Sequence, residues 1–239
     1  MAETKFIEIF GLTFSFNTLI ATAGTLIVVL IASILLTRKL SVESPGKPQL
    51  VLESLVDFIK GIVNDNLGKA AEPIYVWIMM TLFLFVFVAN LLGLPFLVEP
   101  YHVSLWKSPT ADPAVAFSLA LVMNIISHLL GIRKKGFGGY FKQTYFSPVI
   151  GFPIVIGEEL LNLFTLAMRL FGNIFAGEIL LALIASMGNS LGLVTWLAGI
   201  PLQMIWQTFS LFIGVIQAYI FVTLSTVYLK DKITLEEEE

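Results

Sequence analysis

Long apolar runs separated by short polar segments dominate the chain. Residues 9 to 37 carry no charge, and a helix of about 20 residues is long enough to cross the hydrocarbon core of a bilayer. Two further charge-free runs follow, each beginning at a proline that suits the first turn of a helix. We therefore predict three membrane-crossing helices, at about 16–37, 73–98 and 113–132.

The last third of the chain has a different pattern. From 146 to 229 it is apolar, with charge only at Glu158, Glu159, Arg169 and Glu178, and its best turn signal is the segment MGNSLG. We predict two helices, at about 146–187 and 191–229. At 1.5 Å per residue each is about 60 Å long, twice the hydrocarbon thickness. Because LAMRLF contains no Gly or Pro to break the first of them, we expect two unbroken, steeply tilted helices that form a hairpin.

The segment between the first two crossings is amphipathic. Over about 50–67, polar residues recur at helical spacing opposite a row of Leu, Ile and Val. This pattern predicts a helix that lies at the membrane surface or against a partner, and the sequence does not distinguish the two.

Composition agrees with this pattern. The 239 residues are 57% hydrophobic and 13% charged, against about 25% charged in a typical soluble domain. We therefore predict an all-α polytopic membrane protein with about five crossings, formed by one membrane domain over 1–239. The net charge of −3 does not indicate nucleic acid as a partner, since the charges lie mostly in loops and ends. A cleaved signal peptide is the competing interpretation of the first run, which its length and the nearby acidic residues disfavour.

Basic residues predict the orientation. In a five-crossing arrangement eleven of the fourteen Lys and Arg residues fall on one side, and Lys5 and Lys107 fall on the other. The side richer in Lys and Arg faces the cytoplasm. We expect the N-terminus outside and the C-terminus in the cytoplasm.

Candidate chemistry lies on two polar stripes of the long helices. With 100° per residue, one face of the penultimate helix collects Glu158, Asn162, Thr165, Arg169, Asn173 and Ala176. One face of the last helix collects Gln203, Gln207, Ser210, Gly214 and Gln217. The two stripes are candidates to face one another. Hydrogen bonding between helices is the structural explanation for the amides and hydroxyls.

Arg169 is the strongest functional candidate. A fixed cation inside a membrane costs about 2.5 to 3.5 kcal/mol on insertion scales, so it indicates a function and an anionic partner. Glu178 lies nine residues further, about half a turn round the helix, and needs another helix or water. A mobile carboxylate on a second subunit would suit Arg169, because Arg stays charged at physiological pH.

The segment RLFGNIFAGE, from Arg169 to Glu178, resembles the signature of subunit a of F-type ATP synthases, the membrane stator beside the rotating c ring. NLFTLAM, IQAYIFVTLSTVYL and ANLLGLPF extend the resemblance, which covers most of the chain from about Gly11 to Leu229. It implies that Arg169 faces the carboxylate of the c ring and separates two aqueous half-channels for ions, expected to be protons. The implied partners are the c ring, the b subunits of the peripheral stalk and the lipid bilayer.

The resemblance also implies roles for other positions. Asn173, Glu178 and Gln217 match polar positions along the ion paths, and Ser210 stands where some members have His. Glu158 and Glu159 match an acidic pair of some bacterial members, whereas Val155 replaces an acid found in others. The implied location is a bacterial plasma membrane. No catalytic residue, cofactor or metal site is expected in this chain, since ATP chemistry belongs to other subunits.

Two other functions fit a polar stripe in a membrane. A secondary transporter or ion channel also lines its path with such residues, but no internal repeat is evident. A membrane hydrolase needs a positioned nucleophile and base. The two histidines, His102 and His128, lie far from the stripes in the predicted arrangement, and His128 is expected to be a packing or interfacial residue.

Overall fold

The part of the chain that the structure describes forms seven α-helices preceded by a short β-hairpin. The structure, a computed structural model, describes residues 6–9, 12–42, 44–93, 108–145, 151–188 and 193–234. Strands β1 (Phe6–Ile9) and β2 (Leu12–Ser15) pair antiparallel. The helices are α1 (Phe16–Thr37), α2 (Lys47–Leu67), α3 (Pro73–Gly93), α4 (Pro113–Lys135), α5 (Phe137–Tyr145), α6 (Phe152–Gly188) and α7 (Leu193–Ile233). Two single 3-10 turns lie at Gly68–Ala70 and Pro109–Ala111.

Five of the described helices, α1, α3, α4, α6 and α7, are long and apolar enough to cross a membrane. The prediction of an all-α polytopic membrane protein is confirmed, and the hairpin before α1 is one of the elements that the sequence analysis did not predict. Parts of three predicted crossings, residues 94–98, 146–150 and 191–192, lie outside the described residues.

The two long helices run without a break. α6 has 37 residues and α7 has 41, with Pro201 inside the helix. The continuous backbone around Arg169 agrees with the absence of Gly and Pro there. The structure therefore confirms two helices of about forty residues, rather than four shorter ones.

The amphipathic helix α2 packs against the chain itself. Its apolar face is buried through Ile59, Ile62 and Val63, and the ring of Phe58 meets that of Phe83 edge to face at 5.9 Å. Its charged side chains remain exposed. α2 ends at Gly68, whose φ of 52° is a conformation that favours glycine.

Helix α5 was not predicted. It follows α4 directly after Gly136, whose φ of 74° allows the chain to turn there. The N–H of Gly136 bonds to the carbonyl of Ile132, and the N–H of Tyr140 bonds to the carbonyl of Gly136. This corner brings Tyr140, which is buried, and Tyr145 towards α4 and α6.

The chain divides into two compact units. The Arg169 unit comprises the segments up to Leu35, Leu84–Ala116 and Arg169–Tyr219, and the Glu159 unit comprises Leu36–Phe83, Phe117–Met168 and the segment from Ile220. Ala111, Ile174 and Leu181 form an apolar core in the first unit, with Trp206 against them. Because α1, α3, α4, α6 and α7 contribute residues to both units, this division does not test whether 1–239 is one membrane domain, which stays a prediction.

Candidate functional site

The polar stripe of α6 is not covered by the rest of the described chain. Glu158, Thr165, Asn173 and Ala176 are exposed, and Asn162 and Arg169 are half-buried. No hydrogen bond or ion pair joins the Arg169 side chain to any residue that the structure describes. A membrane-crossing helix thus carries an uncompensated cation on an open face.

One hydrogen bond links the stripes of α6 and α7. The side-chain amide of Asn173 donates to Oε1 of Gln217 at 2.7 Å. Gln217 is buried, and its Nε2 has no hydrogen-bond partner in the described part of the chain; the same is true of the buried Ser210 hydroxyl. Gln207 is half-buried. The stripe of α7 is therefore a more enclosed polar surface than that of α6.

Glu178 lies on a buried part of α6 and is 9% exposed. Its Oε1 accepts a hydrogen bond of 3.2 Å from the backbone N–H of Ser108, just before the turn Pro109–Ala111. The sequence analysis predicted water or another helix beside Glu178, and the structure places a backbone donor of the segment before α4 there.

Three further polar residues extend this contact, and together with Glu178 we call them the Glu178 network. The hydroxyls of Ser108 and Thr110 are 2.8 Å apart, and the Thr110 hydroxyl donates to Oδ1 of Asn90 at 2.8 Å. The Asn90 amide donates to the carbonyl of Gly214 in α7 at 2.9 Å. All are buried. The network joins α3, the turn before α4, α6 and α7.

A second set of polar residues surrounds Glu159 in the other unit; we call it the Glu159 cluster. Lys232 of α7 forms an ion pair with Oε1 of Glu159. The Tyr145 hydroxyl lies 3.0 and 3.1 Å from the two carboxylate oxygens, and Nε2 of His128 is 3.7 Å from Oε2. His128 also contacts the Tyr140 hydroxyl through Nδ1. Glu159 is thus fixed by α4, α5 and α7 together.

The two tyrosines of the Glu159 cluster are neutral at physiological pH. Burial, followed by the nearby Glu159 carboxylate, raises the pKa of Tyr145 to about 12. Burial also raises the pKa of Tyr140 well above its usual range. Both hydroxyls therefore keep their protons, and that of Tyr145 donates to Glu159.

The adjacent carboxylate, Glu158, has different surroundings. It lines a cavity of about 380 Å³ in the Glu159 unit, together with Asp231 and polar side chains from four helices. The polar lining residues are Asn124, Ser127, Lys135, Gln143, Thr144, Glu158, Glu159, Asn162, Tyr228, Asp231, Lys232 and Thr234. A cavity of this size and polarity can hold water.

Comparison with known proteins identifies the family. The model of the family described as ATP synthase A chain matches residues 18–230. The chain belongs to this family. ATP synthase subunit a of Enterococcus hirae is 51% identical over 203 residues, which are 84% of each chain. The Priestia megaterium subunit is 45% identical over 234 residues, covering 97% of this chain and 98% of its own. The Staphylococcus saprophyticus subunit is 42% identical over 230 residues, covering 95% and 94%.

Membership confirms the resemblance drawn from RLFGNIFAGE. ATP synthase subunit a is a membrane subunit of the F0 part of the complex, so the chain acts with other subunits in ATP synthesis and ion transport. The relatives are bacterial, and the five long apolar helices make this member a multi-pass membrane protein.

The ATP synthase subunit a fold assembles side chains that the sequence analysis had not brought together. The residue Glu178 was predicted, but its hydrogen bond with Ser108, 70 positions away, and the bonds that join Ser108 to Thr110 and Thr110 to Asn90 were not. The sequence analysis had taken His128 as a packing or interfacial residue, whereas His128 lies between Tyr140 and Glu159. The sequence signal that could have indicated these contacts is a polar residue within an apolar run, such as Asn90 in FVFVANLL.

Proposed function

We propose that the chain is the ion-translocating stator subunit of an F-type ATP synthase. In this proposal it supplies two half-channels to a c ring, and Arg169 faces the carboxylate of each passing c subunit. The ion, which we take to be a proton, enters by one half-channel, neutralises the carboxylate, travels with the ring and leaves by the other. The chain itself performs no covalent chemistry.

The observation that carries the proposal is the open face of α6. Arg169 is half-buried on a stripe that the rest of the described chain leaves uncovered, and no described residue pairs with it. A cation at membrane depth needs a counter-charge or water. A carboxylate on another subunit supplies that negative charge. Protonation neutralises this carboxylate, so its contact with Arg169 is transient.

The outer half-channel in this proposal follows the Arg169 unit. Glu178 is its proton-exchanging carboxylate, and Asn173, Gln217 and Ser210 are polar wall residues. The unpartnered amide of Gln217 and hydroxyl of Ser210 support this assignment, because buried polar atoms inside a membrane otherwise carry a free-energy penalty. Gln207 belongs to the same stripe of α7.

The inner half-channel follows the cavity of the Glu159 unit. Glu158 and Asn162 line this cavity and belong to the stripe that carries Arg169. Glu159 also lines it, although Lys232 and Tyr145 bind its oxygens. Glu158 is therefore the carboxylate of this pair with the freer access to water.

Orientation and further partners complete the proposal. In this proposal the C-terminus lies in the cytoplasm and the N-terminus outside, in a bacterial plasma membrane, because basic residues at and after the ends of α1, α4 and α7 favour the cytoplasmic side. α6 and α7 are too long to cross upright, so they lie steeply tilted against the ring. The b subunits of the peripheral stalk and the lipid bilayer contact the remaining faces.

The driving force acts on the translocated charge. Each elementary charge that crosses the membrane supplies about 2.3 kcal/mol per 100 mV. Arg169 converts this into rotation in one direction, because it favours the ionised carboxylate at one angular position and blocks direct leak between the half-channels.

Disulfide crosslinking in native membranes tests the proposal. Asn173→Cys is combined with Cys residues scanned along the ring-facing helix of the candidate c subunit. We expect rapid crosslinking near the c-subunit carboxylate, with loss of ATP-driven proton pumping.

Ile179→Cys is the matched control. Ile179 is also exposed, at 51%, but lies about 120° round α6 from Asn173. Crosslinking that is equal for both variants, or absent for Asn173→Cys along the whole helix, contradicts the proposal. Ion transport by the purified chain without a c ring would instead favour a secondary transporter or channel.

A further inference from the structure

The Glu178 carboxylate contacts the segment that leads into α4. The backbone N–H of Ser108, just before the turn Pro109–Ala111, donates a hydrogen bond to its Oε1. The position of that N–H depends on the other contacts of Ser108. Those contacts therefore contribute to the position of the carboxylate.

Two contacts of its single hydroxyl and one close approach of the backbone fix Ser108. Its hydroxyl lies 2.8 Å from that of Thr110 and 3.3 Å from the carbonyl of Ala89. Gly93 of α3 lies so close that a Cβ there would be 2.2 Å from the Cβ of Ser108. Ser108 therefore packs against the backbone of α3 at Gly93, and its contact with Thr110 fixes it in this position.

Thr110 connects Ser108 to two transmembrane helices. Its hydroxyl donates to Oδ1 of Asn90 in α3, and the amide of Asn90 donates to the carbonyl of Gly214 in α7. Thr110 is fully buried, so water does not replace these bonds if the hydroxyl is removed. Without it, Asn90 and Ser108 each lose a partner and the turn is free to move.

We propose that Thr110, acting through Ser108, is a positioning residue for the ion-exchanging carboxylate of Glu178. The proposal rests on the function proposed above, in which Glu178 exchanges protons with the c ring. Proton exchange needs donor and acceptor within about 2.6 to 3.2 Å. A displaced carboxylate therefore exchanges protons more slowly and with a changed affinity for the proton.

Other buried threonines of the chain have a different role. The hydroxyl of Thr25 in α1 bonds to the carbonyl of Ala21 four residues earlier, within its own helix. Thr25 is as buried as Thr110 and lies in the same unit. Thr25→Val is therefore a control for the loss of a buried hydroxyl without loss of the network.

The test uses the complete ATP synthase in inverted membrane vesicles. ATP-driven proton pumping is measured from pH 6 to 9 and normalised to the amount of this subunit in the vesicles. We expect Thr110→Val to slow pumping about tenfold, since small misplacements of reacting groups cost up to about a hundredfold. We also expect the midpoint of its pH profile to move by about half a unit, because the surroundings of Glu178 change.

Conservative and control variants separate positioning from folding. Thr110→Ser retains the hydroxyl and should pump within about twofold of the unmodified enzyme, as should Thr25→Val, with unchanged pH profiles. In a Glu178→Gln background, Thr110→Val should have no further effect, because it acts through Glu178. If the Thr110→Val enzyme fails to assemble, Ser108→Ala is tested instead. This variant keeps the N–H that faces Glu178 but removes the hydroxyl. It should show the same slowing of pumping and the same shift of the pH profile.

Three results overturn the inference. The first is an unchanged pumping rate and pH profile in the assembled Thr110→Val enzyme or, if that enzyme does not assemble, in Ser108→Ala. The second is equal slowing of pumping by Thr110→Ser, and the third is a further loss of pumping when Thr110→Val is added to Glu178→Gln. Arg169→Ala is measured in parallel to keep the two proposals apart. If Arg169→Ala does not pump while Thr110→Val pumps normally, the positioning role alone is wrong. If Arg169→Ala pumps normally, the stator function itself is wrong.

Discussion

Glu178 and Glu159 are both largely buried carboxylates of α6, but they are bound by different kinds of group. The described contact of Glu178 is a backbone N–H, supported by two hydroxyls and an amide. Glu159 has a lysine ion pair, a tyrosine hydroxyl and a nearby histidine.

The comparison teaches that burial of an acid does not by itself indicate ion transport. The contacts of the Glu159 cluster hold α4, α5, α6 and α7 together, whereas the Glu178 network contains the carboxylate that we propose to exchange protons. Substitutions can test this difference between Glu178 and Glu159. The first is at Arg169, on which the proposed mechanism depends.

Arg169→Ala should have the largest effect. Coupled pumping should fall to background, because nothing else among the described residues of the α6 stripe can favour the ionised ring carboxylate or block direct leak. ATP-driven proton pumping in vesicles is the measurement, with subunit levels as the control. Pumping by the assembled variant would contradict the role of Arg169 in both half-channels.

Glu178→Gln should show most clearly that Glu178 and Glu159 have different roles. The amide still accepts a hydrogen bond from Ser108, so assembly should be normal, but it cannot exchange protons. We expect pumping to fall about a hundredfold, the lower range for a lost acid–base group. Normal pumping at normal subunit levels would remove Glu178 from the ion path.

Glu159→Gln should instead affect stability. Lys232 and Glu159 have side chains only 12% and 17% exposed, so the substitution leaves a lysine without its partner. We expect a loss of about 2 to 3 kcal/mol in unfolding free energy, just under the range for breaking fully buried pairs.

The double variant of the ion pair sharpens this result. Glu159→Gln together with Lys232→Gln should recover most of the stability, measured as thermal unfolding in detergent and as subunit level in membranes. Stability losses that simply add would show that the two side chains act independently.

The Asn173–Gln217 hydrogen bond should contribute less. Hydrogen bonds between membrane helices average about 0.6 kcal/mol in double-mutant cycles. Asn173→Ala, Gln217→Ala and their combination, compared by thermal unfolding, should give a coupling of about this size. A coupling near zero would mean that the two polar stripes do not stabilise each other.

Tyr145→Phe should have the smallest effect and appear only at high pH. Because the pKa of Tyr145 is raised to about 12 in the fold, from 10 in the unfolded chain, the proton is held more tightly in the fold. Its stabilisation is complete below pH 10 and is lost between pH 10 and 12. Circular dichroism of the purified subunit should show a fall in stability over this interval that is smaller in Tyr145→Phe.

The long helices and their stripes could be predicted because they depend on local periodicity. α6 runs unbroken through LAMRLF, which contains no Gly or Pro, and α7 runs unbroken although it contains Pro201. The hydrogen bond between Asn173 and Gln217 agrees with two stripes that had been expected as candidates to face one another.

The surroundings of the carboxylates could not be predicted in the same way. Glu158 and Glu159 are neighbours in sequence and both line the cavity, but successive residues project about 100° apart on a helix, so Glu159 meets Lys232 while Glu158 stays exposed. Ser108 and Thr110 lie in a loop without periodicity, and their partners are distant in sequence. Helix α5 has only nine residues, two of them glycine, which gives a weak helical pattern.

The ion pair between Glu159 and Lys232 has a consequence for biogenesis. The two residues are 73 positions apart. At a synthesis rate of about 5 to 20 residues per second, Glu159 leaves the ribosome roughly 4 to 15 seconds before its partner. During that interval Glu159 has no Lys232 to pair with. This ion pair between α6 and α7 can therefore form only after nearly all of α7 has been synthesised.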